Sequence, residues 1–215
     1  MIKLNKAAEP AVLAANKIAW RDQLLHLIAT GQVVPDSLYT SYNRDEVKDA
    51  LRKECNSKCM YCESKVEHIT DLHIEHIQPK ARAKFPGLTF EYTNLGLACP
   101  LCNRNKSDTY DVNNTFINPY VDDPKNHFYA WGVFLWPKSG DNRARLSELE
   151  IDLNRKDLLE ARTERVKSVK GMIDSFKNEA NPTIKAAIKK QLLKEIEDDK
   201  IYSFFCKTLV DSEII

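Results

Sequence analysis

The sequence predicts an α+β fold that is mostly helical, with a small sheet near the middle of the chain. Two observations carry this prediction. Apolar residues recur at helical spacing towards both ends of the chain. Between them, two Cys-x-x-Cys pairs, at 59–62 and 99–102, enclose a stretch of alternating and β-branched residues. We therefore expect an N-terminal helical region over 1–55, a core over 56–140 and a C-terminal helical region over 141–215.

Composition limits the class of protein. Of the 215 residues, 43% are hydrophobic and 29% are charged, and no apolar run approaches the length of a membrane span. The start, MIKLNKAAEP, lacks the apolar stretch of a secretory signal. Six cysteines, four of them in metal-type spacing, favour a reducing compartment. The sequence thus predicts a cytoplasmic protein that does not contact a membrane.

The charge balance gives only local support for a nucleic-acid ligand. The net charge is +1, whereas proteins that hold nucleic acid by charge alone usually carry a clear basic excess. Basic residues do gather around the candidate site described below: Lys80, Arg82, Lys84, Arg104 and Lys106. Either this is an ordinary mixed surface, or a partner helps to hold the substrate.

The N-terminal region predicts two helices. Residues 7–29 carry a broad apolar stripe, and Gly31 is placed to end that helix. Residues 35–42 predict a loop. Asn43 can cap a second helix, with Glu46 at the position that completes a capping box. This second helix is expected to run into the first cysteine pair.

The central region predicts strands and one short helix. The pattern over 63–79 indicates a short hairpin that Pro79 ends, and 80–93 forms a basic and aromatic connection. A short helix is expected from the second cysteine pair through Lys106. The aromatic-rich stretch 117–137 predicts packed irregular or strand structure behind this unit.

The last third of the chain is predicted to be helical. Asn181 and Pro182 are typical of the cap and first residue of a helix, with Ile184 and Leu193 among its inward positions. A final helix is expected over roughly 200–210. The alternation of charged and apolar positions indicates either a solvated face over a core or a helix that docks a partner.

Four cysteines in two pairs predict a structural zinc site. A tetrahedral Zn²⁺ site takes four thiolates, and each Cys-x-x-Cys turn supplies two of them. The predicted ligands are Cys59, Cys62, Cys99 and Cys102. This closed site would hold the fold and do no chemistry; the alternative is four buried thiols without a metal. Cys55 and Cys206 lie outside the paired spacing and are expected in the core.

A second group of residues, between and just after the cysteine pairs, suits hydrolysis of a phosphodiester. That reaction needs an activated water and positive charge at the phosphate and the leaving oxygen. His76 is the candidate general base. Glu75 and the amide oxygen of Asn103 are the candidate ligands of a catalytic Mg²⁺ or Mn²⁺. Neighbours on a strand face opposite ways, so the strand must twist or end at this point.

Other polar residues surround these candidates. Asn94 can hydrogen-bond backbone and hold the loop that carries His76. Lys106, one turn after the amide ligand, can meet a phosphate, and Lys80 is a second candidate for binding the substrate. His73 shares strand parity with the carboxylate ligand, so it can add a ligand, contact the substrate or pack the hairpin. Two residues after the first cysteine pair are expected to hydrogen-bond that pair or the catalytic strand: Glu63 and His68.

The stretch from Cys59 to Asp108 resembles the HNH (His-Asn-His, ββα-metal) endonuclease family in its four-cysteine form. The matching residues are Glu75-His76, Asn94-Leu95 and Cys99-x-x-Cys102-Asn103-x-x-Lys106. The resemblance implies a two-strand-plus-helix nuclease core in which His76 is the base, Glu75 and Asn103 hold the catalytic ion, and Asn94 is structural. Glu75 stands where Asp is commoner and Asn103 where a His often stands; both supply oxygen ligands, so they bear on the metal preference more than on the activity.

Longer motifs resemble the HNH subunits of bacterial anti-phage systems of the Septu type and their retron-linked relatives. These motifs are CMYCE (59–63), HIEHIQPK (73–80), INP with DDP (117–124) and LNR (153–155). The resemblance covers roughly 43–165 and implies a nuclease effector with a partner, an ABC/SMC-like ATPase encoded alongside. The C-terminal helical region would then be the docking surface.

Three alternatives stay open at the level of sequence. The chain is a non-catalytic, zinc-stabilised nucleic-acid-binding or adaptor module, a free-standing HNH restriction-type nuclease, or a nuclease acting on RNA such as tRNA. The presence of both Glu75 and His76 favours an enzyme. A free-standing enzyme would need its own recognition domain, for which the sequence offers no obvious candidate. DNA is favoured over RNA as the substrate.

Overall fold

The computed structural model describes residues 1–67 and 70–214. The helices within these residues are α1 (Ala11–Ala29), α2 (Asp36–Tyr39), α3 (Asp45–Cys55), α4 (Pro100–Lys106), α5 (Asn142–Ile151), α6 (Lys156–Asn178), α7 (Pro182–Glu195) and α8 (Ser203–Ile214). The strands are β1 (His73–His76), β2 (Leu95–Ala98), β3 (Phe128–Trp131) and β4 (Phe134–Pro137). This confirms the predicted α+β, mostly helical class. His68, one of the predicted site residues, lies outside the described residues.

The N-terminal helices begin later than predicted, and one predicted cap serves a different helix. Helix α1 begins after Pro10, and the Ala11 amide donates a hydrogen bond to Glu46 Oε1 at 2.8 Å. Glu46 therefore caps α1 across the fold instead of completing a capping box in its own helix. Helix α3 begins after Arg44, so Asn43 is not its cap. The predicted loop over 35–42 contains the short helix α2.

The sheet that carries the candidate catalytic residues joins two segments that are distant in sequence. Strand β1 pairs antiparallel with β2, with Glu75 opposite Gly96 and His76 opposite Leu95. The prediction of a hairpin within 63–79 is therefore wrong. Glu63 has a φ of 66°, a left-handed conformation that an extended strand cannot accommodate. A Cβ atom at Gly96 would overlap the Met60 sulfur, so glycine allows the first cysteine turn to pack onto β2.

The second sheet is a hairpin with two different faces. Strands β3 and β4 pair antiparallel, and Gly132 occupies their tight turn with a φ of 60°. The inner face places Phe128 and Leu135 in the main core. The outer face exposes four aromatic side chains: Tyr129, Trp131, Phe134 and Trp136. The predicted packing is thus right for Phe128 and wrong for the outer face, because residues alternate between the two faces of a strand.

The helical C-terminal region adds to the main core and forms a second core of its own. Ala144 and Ile151 of α5 and Leu158 of α6 belong to the main core. Further along, α6, α7 and α8 share a smaller cluster: Val169, Ile173, Leu192, Ile196, Cys206 and Val210. Asn181 caps α7 as predicted, whereas the predicted inward residues Ile184 and Leu193 are exposed. No helix among the described residues is long and apolar enough to cross a membrane.

Candidate metal centre and catalytic cleft

The four paired cysteines converge on one point. Their sulfur atoms all lie within 4.8 Å of one another and all four residues are buried. A Zn–S distance of about 2.3 Å in a tetrahedron places the sulfurs about 3.8 Å apart, and Cys62 Sγ lies 3.9 Å from Cys99 Sγ. The donor set and its spacing therefore fit Zn²⁺. Cys55 and Cys206 are buried away from this centre, as predicted.

Local backbone structure prepares the cysteines for this role. In the first turn, the Glu63 amide donates to the Cys59 carbonyl at 3.0 Å, and the left-handed Glu63 turns the chain away from the centre. In the second turn, Cys99 precedes α4 and its sulfur accepts a hydrogen bond from the Cys102 amide at 3.4 Å. Each pair is thus formed by a tight turn, and the sheet brings the two turns together.

Arg155 supplies positive charge next to these sulfurs. Its Nη1 lies 3.5 Å from Cys102 Sγ, and its Nη2 lies 3.9 Å from Cys99 Sγ. Four thiolates around one Zn²⁺ carry an excess of negative charge, which a neighbouring guanidinium offsets. The residue stands directly before α6 and joins the metal centre to the C-terminal helices. The LNR motif was the only sequence signal for it, and it carried no role.

The candidate base His76 is held in one tautomer. Its Nε2 lies 3.0 Å from the Thr89 carbonyl oxygen. Because a carbonyl only accepts, Nε2 carries the proton and Nδ1 keeps its lone pair. The Tyr42 ring packs edge-on against the imidazole, with the centroids 4.6 Å apart. Burial lowers the pKa of His76 to about 3, so the ring is neutral at physiological pH.

Glu75 is buried and paired with Lys106. Its Oε1 lies 2.7 Å from Lys106 Nζ and 3.4 Å from the Tyr61 hydroxyl. Burial raises the pKa of the Glu75 carboxyl, while the Lys106 charge acts in the opposite direction. Oε2 makes no hydrogen bond with any residue in the described part of the chain. One carboxylate oxygen thus remains available for an ion.

The structure corrects the prediction for Lys106. The side chain is fully buried, and Nζ also donates to the His76 carbonyl at 3.0 Å. It therefore does not meet a phosphate; it holds the end of β1 and neutralises Glu75. The helical spacing was right, because Lys106 and Asn103 face the same strand. What the sequence did not show is that this face of α4 packs against β1.

Asn103 and His73 form a pair at the mouth of the cleft. Asn103 Nδ2 lies 3.3 Å from His73 Nδ1, so the amide N–H donates to the imidazole. The amide oxygen is left free of hydrogen bonds to the residues described here. His73 is exposed, so it can orient the amide of Asn103 and still contact a substrate.

Asn94 makes the backbone contacts that the sequence predicted. Its Oδ1 accepts from the Gln78 amide at 2.8 Å. Its Nδ2 donates to the carbonyls of Gln78 and Leu88 at 3.0 and 3.2 Å. The side chain therefore clamps the segment that follows His76 to the loop that carries Thr89.

Several of the candidate residues line one cleft of about 440 Å³. Glu75, His76, Lys80, Asn103 and Arg104 all contribute to its walls. Strand β1 ends at His76, so the opposed facing of neighbouring strand residues does not keep Glu75 and His76 apart. Lys80 also lines this cleft, and its role in binding the substrate stays a prediction.

The neighbours of Lys80 were not evident from the sequence. Its Nζ lies over the Tyr39 ring, 4.0 Å from the centroid, and donates to the Tyr42 hydroxyl at 2.7 Å. Burial lowers the pKa of Lys80 to about 8. The same Tyr42 that packs against the base therefore also positions this lysine. Both tyrosines come from the segment that was predicted to be a loop.

The prediction for Glu63 is wrong. Its carboxylate hydrogen-bonds neither the cysteine sulfurs nor β1. It pairs with the Met1 amino group at 2.6 Å and accepts from the Ser203 hydroxyl at 2.8 Å. Lys58 Nζ lies 3.4 Å from Oε2, the same oxygen that accepts from Ser203. Glu63 is thus a structural residue that joins the first cysteine turn to α8.

Comparison with known proteins agrees with this geometry. Residues 59–109, from the first zinc ligand past the end of α4, match the family described as HNH endonuclease. This segment is an HNH endonuclease domain. The predicted resemblance to that family is therefore confirmed.

Two bacterial relatives of the HNH-containing chain extend the similarity beyond the domain. The Septu protein PtuB of Bacillus mycoides (strain KBAB4) is 28% identical over 202 residues, covering 79% of this chain and 68% of the relative. The Septu protein PtuB of Bacillus thuringiensis is 30% identical over 119 residues, covering 55% of this chain and 45% of the relative. The predicted similarity to Septu proteins is confirmed as well.

Proposed function

We propose that this chain is a metal-dependent HNH endonuclease that hydrolyses phosphodiester bonds of DNA. One observation carries the proposal: His76 donates from Nε2 to the Thr89 carbonyl, which leaves Nδ1 unprotonated in a residue that lines the same cleft as Glu75 and Asn103. The family of the domain supports the same reaction.

In this proposal His76 is the general base. Its Nδ1 accepts a proton from the attacking water, and the resulting positive charge is stabilised by the Nε2–H bond to Thr89. Approach of a phosphate raises the proton affinity of the imidazole, because a nearby negative charge favours its cationic form. The edge-on Tyr42 ring keeps the imidazole in place while it gains and loses the proton.

Glu75 and Asn103 fit a hard divalent ion such as Mg²⁺ or Mn²⁺. Both offer an oxygen without a hydrogen bond, and both line the same cleft. Such an ion, when bound, supplies positive charge at the phosphate and at the leaving 3′-oxygen. Lys80 and Arg104, on the walls of the same cleft, bind the backbone phosphates.

We also propose the setting in which this nuclease acts. Similarity to two Septu proteins supports a role as the nuclease effector of a bacterial anti-phage system, in the cytoplasm. The family resemblance implies an ABC/SMC-like ATPase as its partner, with the C-terminal helices as the docking region. Co-expression with the neighbouring ATPase, followed by size-exclusion chromatography of wild type and Ile184→Asp/Leu193→Asp, which changes two exposed apolar residues of α7, tests this assembly.

The catalytic proposal is tested by plasmid nicking in Mg²⁺, Mn²⁺ or EDTA. We expect His76→Ala to lose about two to four orders of magnitude in rate. His26→Ala, which changes an exposed histidine on α1, is the matched control and should cleave like wild type. Zinc content and the melting temperature are measured for each protein, so that loss of the base is separated from loss of the fold.

Two results would contradict the proposal in different ways. Equal rates for wild type and His76→Ala, also in the presence of the ATPase, would remove the catalytic role of His76 and with it the DNA nicking mechanism. Cleavage of RNA alone, with the same dependence on His76, would keep the enzyme and replace its substrate.

A further inference from the structure

We propose that the outer face of the β3–β4 hairpin is a stacking platform for unpaired bases of a single DNA strand. The platform consists of Tyr129, Trp131, Phe134 and Trp136, whose side chains are 50, 70, 42 and 41% exposed. The proposal rests on the nuclease function, and it assigns a substrate class: DNA with a single-stranded segment.

The register of the hairpin makes these four rings one surface. Trp131 lies opposite Phe134, and Tyr129 lies opposite Trp136. Directly opposed side chains on one face of an antiparallel pair are close enough to touch. Successive residues on one face are about 6.8 Å apart along each strand. Aromatic residues on a sheet are the arrangement on which sheet-based nucleic-acid-binding domains stack two or three bases.

Positive charge continues the same face. The next cross-strand position brings Lys138 beside His127, where the Lys138 amide donates to the His127 carbonyl at 2.8 Å. Lys138 and the nearby Lys125 are exposed, and neither makes an ion pair with another residue in the described ranges. His127 is paired with Asp141 instead. Two free lysines beside exposed rings give the mixture of stacking and phosphate attraction that single strands require.

Two surface depressions border the end of this hairpin and the segment that follows His76. Lys138, His127 and Arg143 line an open depression of about 630 Å³. Arg143 also lines a cavity of about 230 Å³ whose other wall is Ile77 and Gln78, the residues that follow His76. Arg143 is itself held by Asp122, at 2.6 Å, so it adds no free charge here. The depression beside the platform and the cavity beside Gln78 thus share Arg143 as a common wall.

The four rings alone are smaller than a protein interface, so a protein ligand would also have to cover their neighbours. An aromatic side chain contributes about 150–250 Å² when fully buried, so four half-exposed ones offer about 400 Å². A stable protein interface buries about 800 Å² on each partner. Stacked bases need only the faces of the rings. The platform has few polar groups with which to recognise a ribose 2′-hydroxyl, so stacking does not select the sugar, and the assignment to DNA follows from the proposed nuclease function.

The proposal is tested by binding of a fluorescein-labelled oligothymidylate, measured by anisotropy in the His76→Ala background so that no strand is cut. We expect Trp131→Ala/Trp136→Ala to bind about 10- to 100-fold more weakly. Trp131→Phe/Trp136→Phe retains the rings and should bind within a few-fold of the parent. Leu193→Ala removes a similarly exposed apolar side chain from α7 and should have no effect.

The outcomes separate this proposal from the nuclease function. Oligothymidylate binding that is absent in the parent, or unchanged in the folded double alanine variant, overturns the platform and leaves that face to a protein partner. Ring-dependent binding of oligouridylate but not oligothymidylate overturns the assignment to DNA. Ring-dependent oligothymidylate binding supports the platform even if plasmid nicking fails, and His76-dependent nicking stands even if the platform does not.

Discussion

The zinc centre and the catalytic cleft lie on the same two-strand-plus-helix unit, yet they are held in different ways. At the zinc centre the four sulfurs point at one another and Arg155 supplies the counter-charge. In the cleft the candidate ligands point towards protein partners instead. Glu75 is paired with Lys106, and Asn103 is paired with His73.

This difference follows from what each ion does. A structural ion is bound once and must close the fold, so its ligands come from tight turns whose shape is set locally. A catalytic ion must leave positions open for water and phosphate. In the cleft, Lys106 neutralises the buried Glu75 carboxylate. We therefore expect the zinc centre to govern stability and the cleft to govern activity.

The largest expected effect comes from breaking the zinc centre. Cys62→Ser should abolish cooperative thermal unfolding of the nuclease core, because structural Zn²⁺ contributes about 10–16 kcal/mol in small zinc-binding domains and a whole protein has about 5–15 kcal/mol of stability. Cys206→Ala is the matched control, since this buried thiol lies outside the centre. Calorimetry and zinc content measure both. A cooperative, zinc-free Cys62→Ser protein would show that the ion is not structural.

The zinc centre was easier to predict from the sequence than the cleft, and the reason is physical. The four cysteine ligands and helix α4 were predictable, because the spacing of a Cys-x-x-Cys pair and the capping of a helix depend only on neighbouring residues. The partner of β1 was not, because pairing with β2 depends on Gly96 and Met60 meeting in space. Lys106 was misassigned for the same reason. A lysine on a helix face looks solvated until the strand that covers it is known.

The Glu75–Lys106 pair predicts an intermediate effect. Lys106→Met removes the buried ammonium and should cost about 3–5 kcal/mol of unfolding free energy, because it leaves a buried carboxylate without a partner. The folded-state pKa of Glu75 is already raised by burial, and losing Lys106 raises it further. The variant should therefore keep its stability below the ordinary glutamate pKa and lose it as pH rises through the raised value. Urea denaturation at several pH values measures this.

Two further variants test the pairing of Glu75 with Lys106. Glu75→Gln/Lys106→Met should recover most of the lost stability, since neither charge remains. Mn²⁺ should raise the melting temperature of Lys106→Met more than that of wild type, because the ion takes the place of the lysine at Glu75. If Glu75→Gln binds Mn²⁺ as tightly as wild type does, Glu75 is not a ligand.

The smallest expected effect concerns Lys80 and pH. Because the pKa of Lys80 is lowered to about 8, its ammonium is charged below that pH and neutral above it. We expect kcat/KM for DNA to fall about two- to fivefold between pH 7 and pH 9 from this group alone, a range typical of one partly exposed charge.

Lys80→Arg, which stays charged, should remove that fall. His76 does not titrate in this range, because its pKa is about 3. The effect should appear in kcat/KM more than in kcat, since a bound phosphate keeps the lysine protonated. An unchanged fall in Lys80→Arg would assign the pH dependence to another group and would leave Lys80 as a residue that packs between two tyrosines.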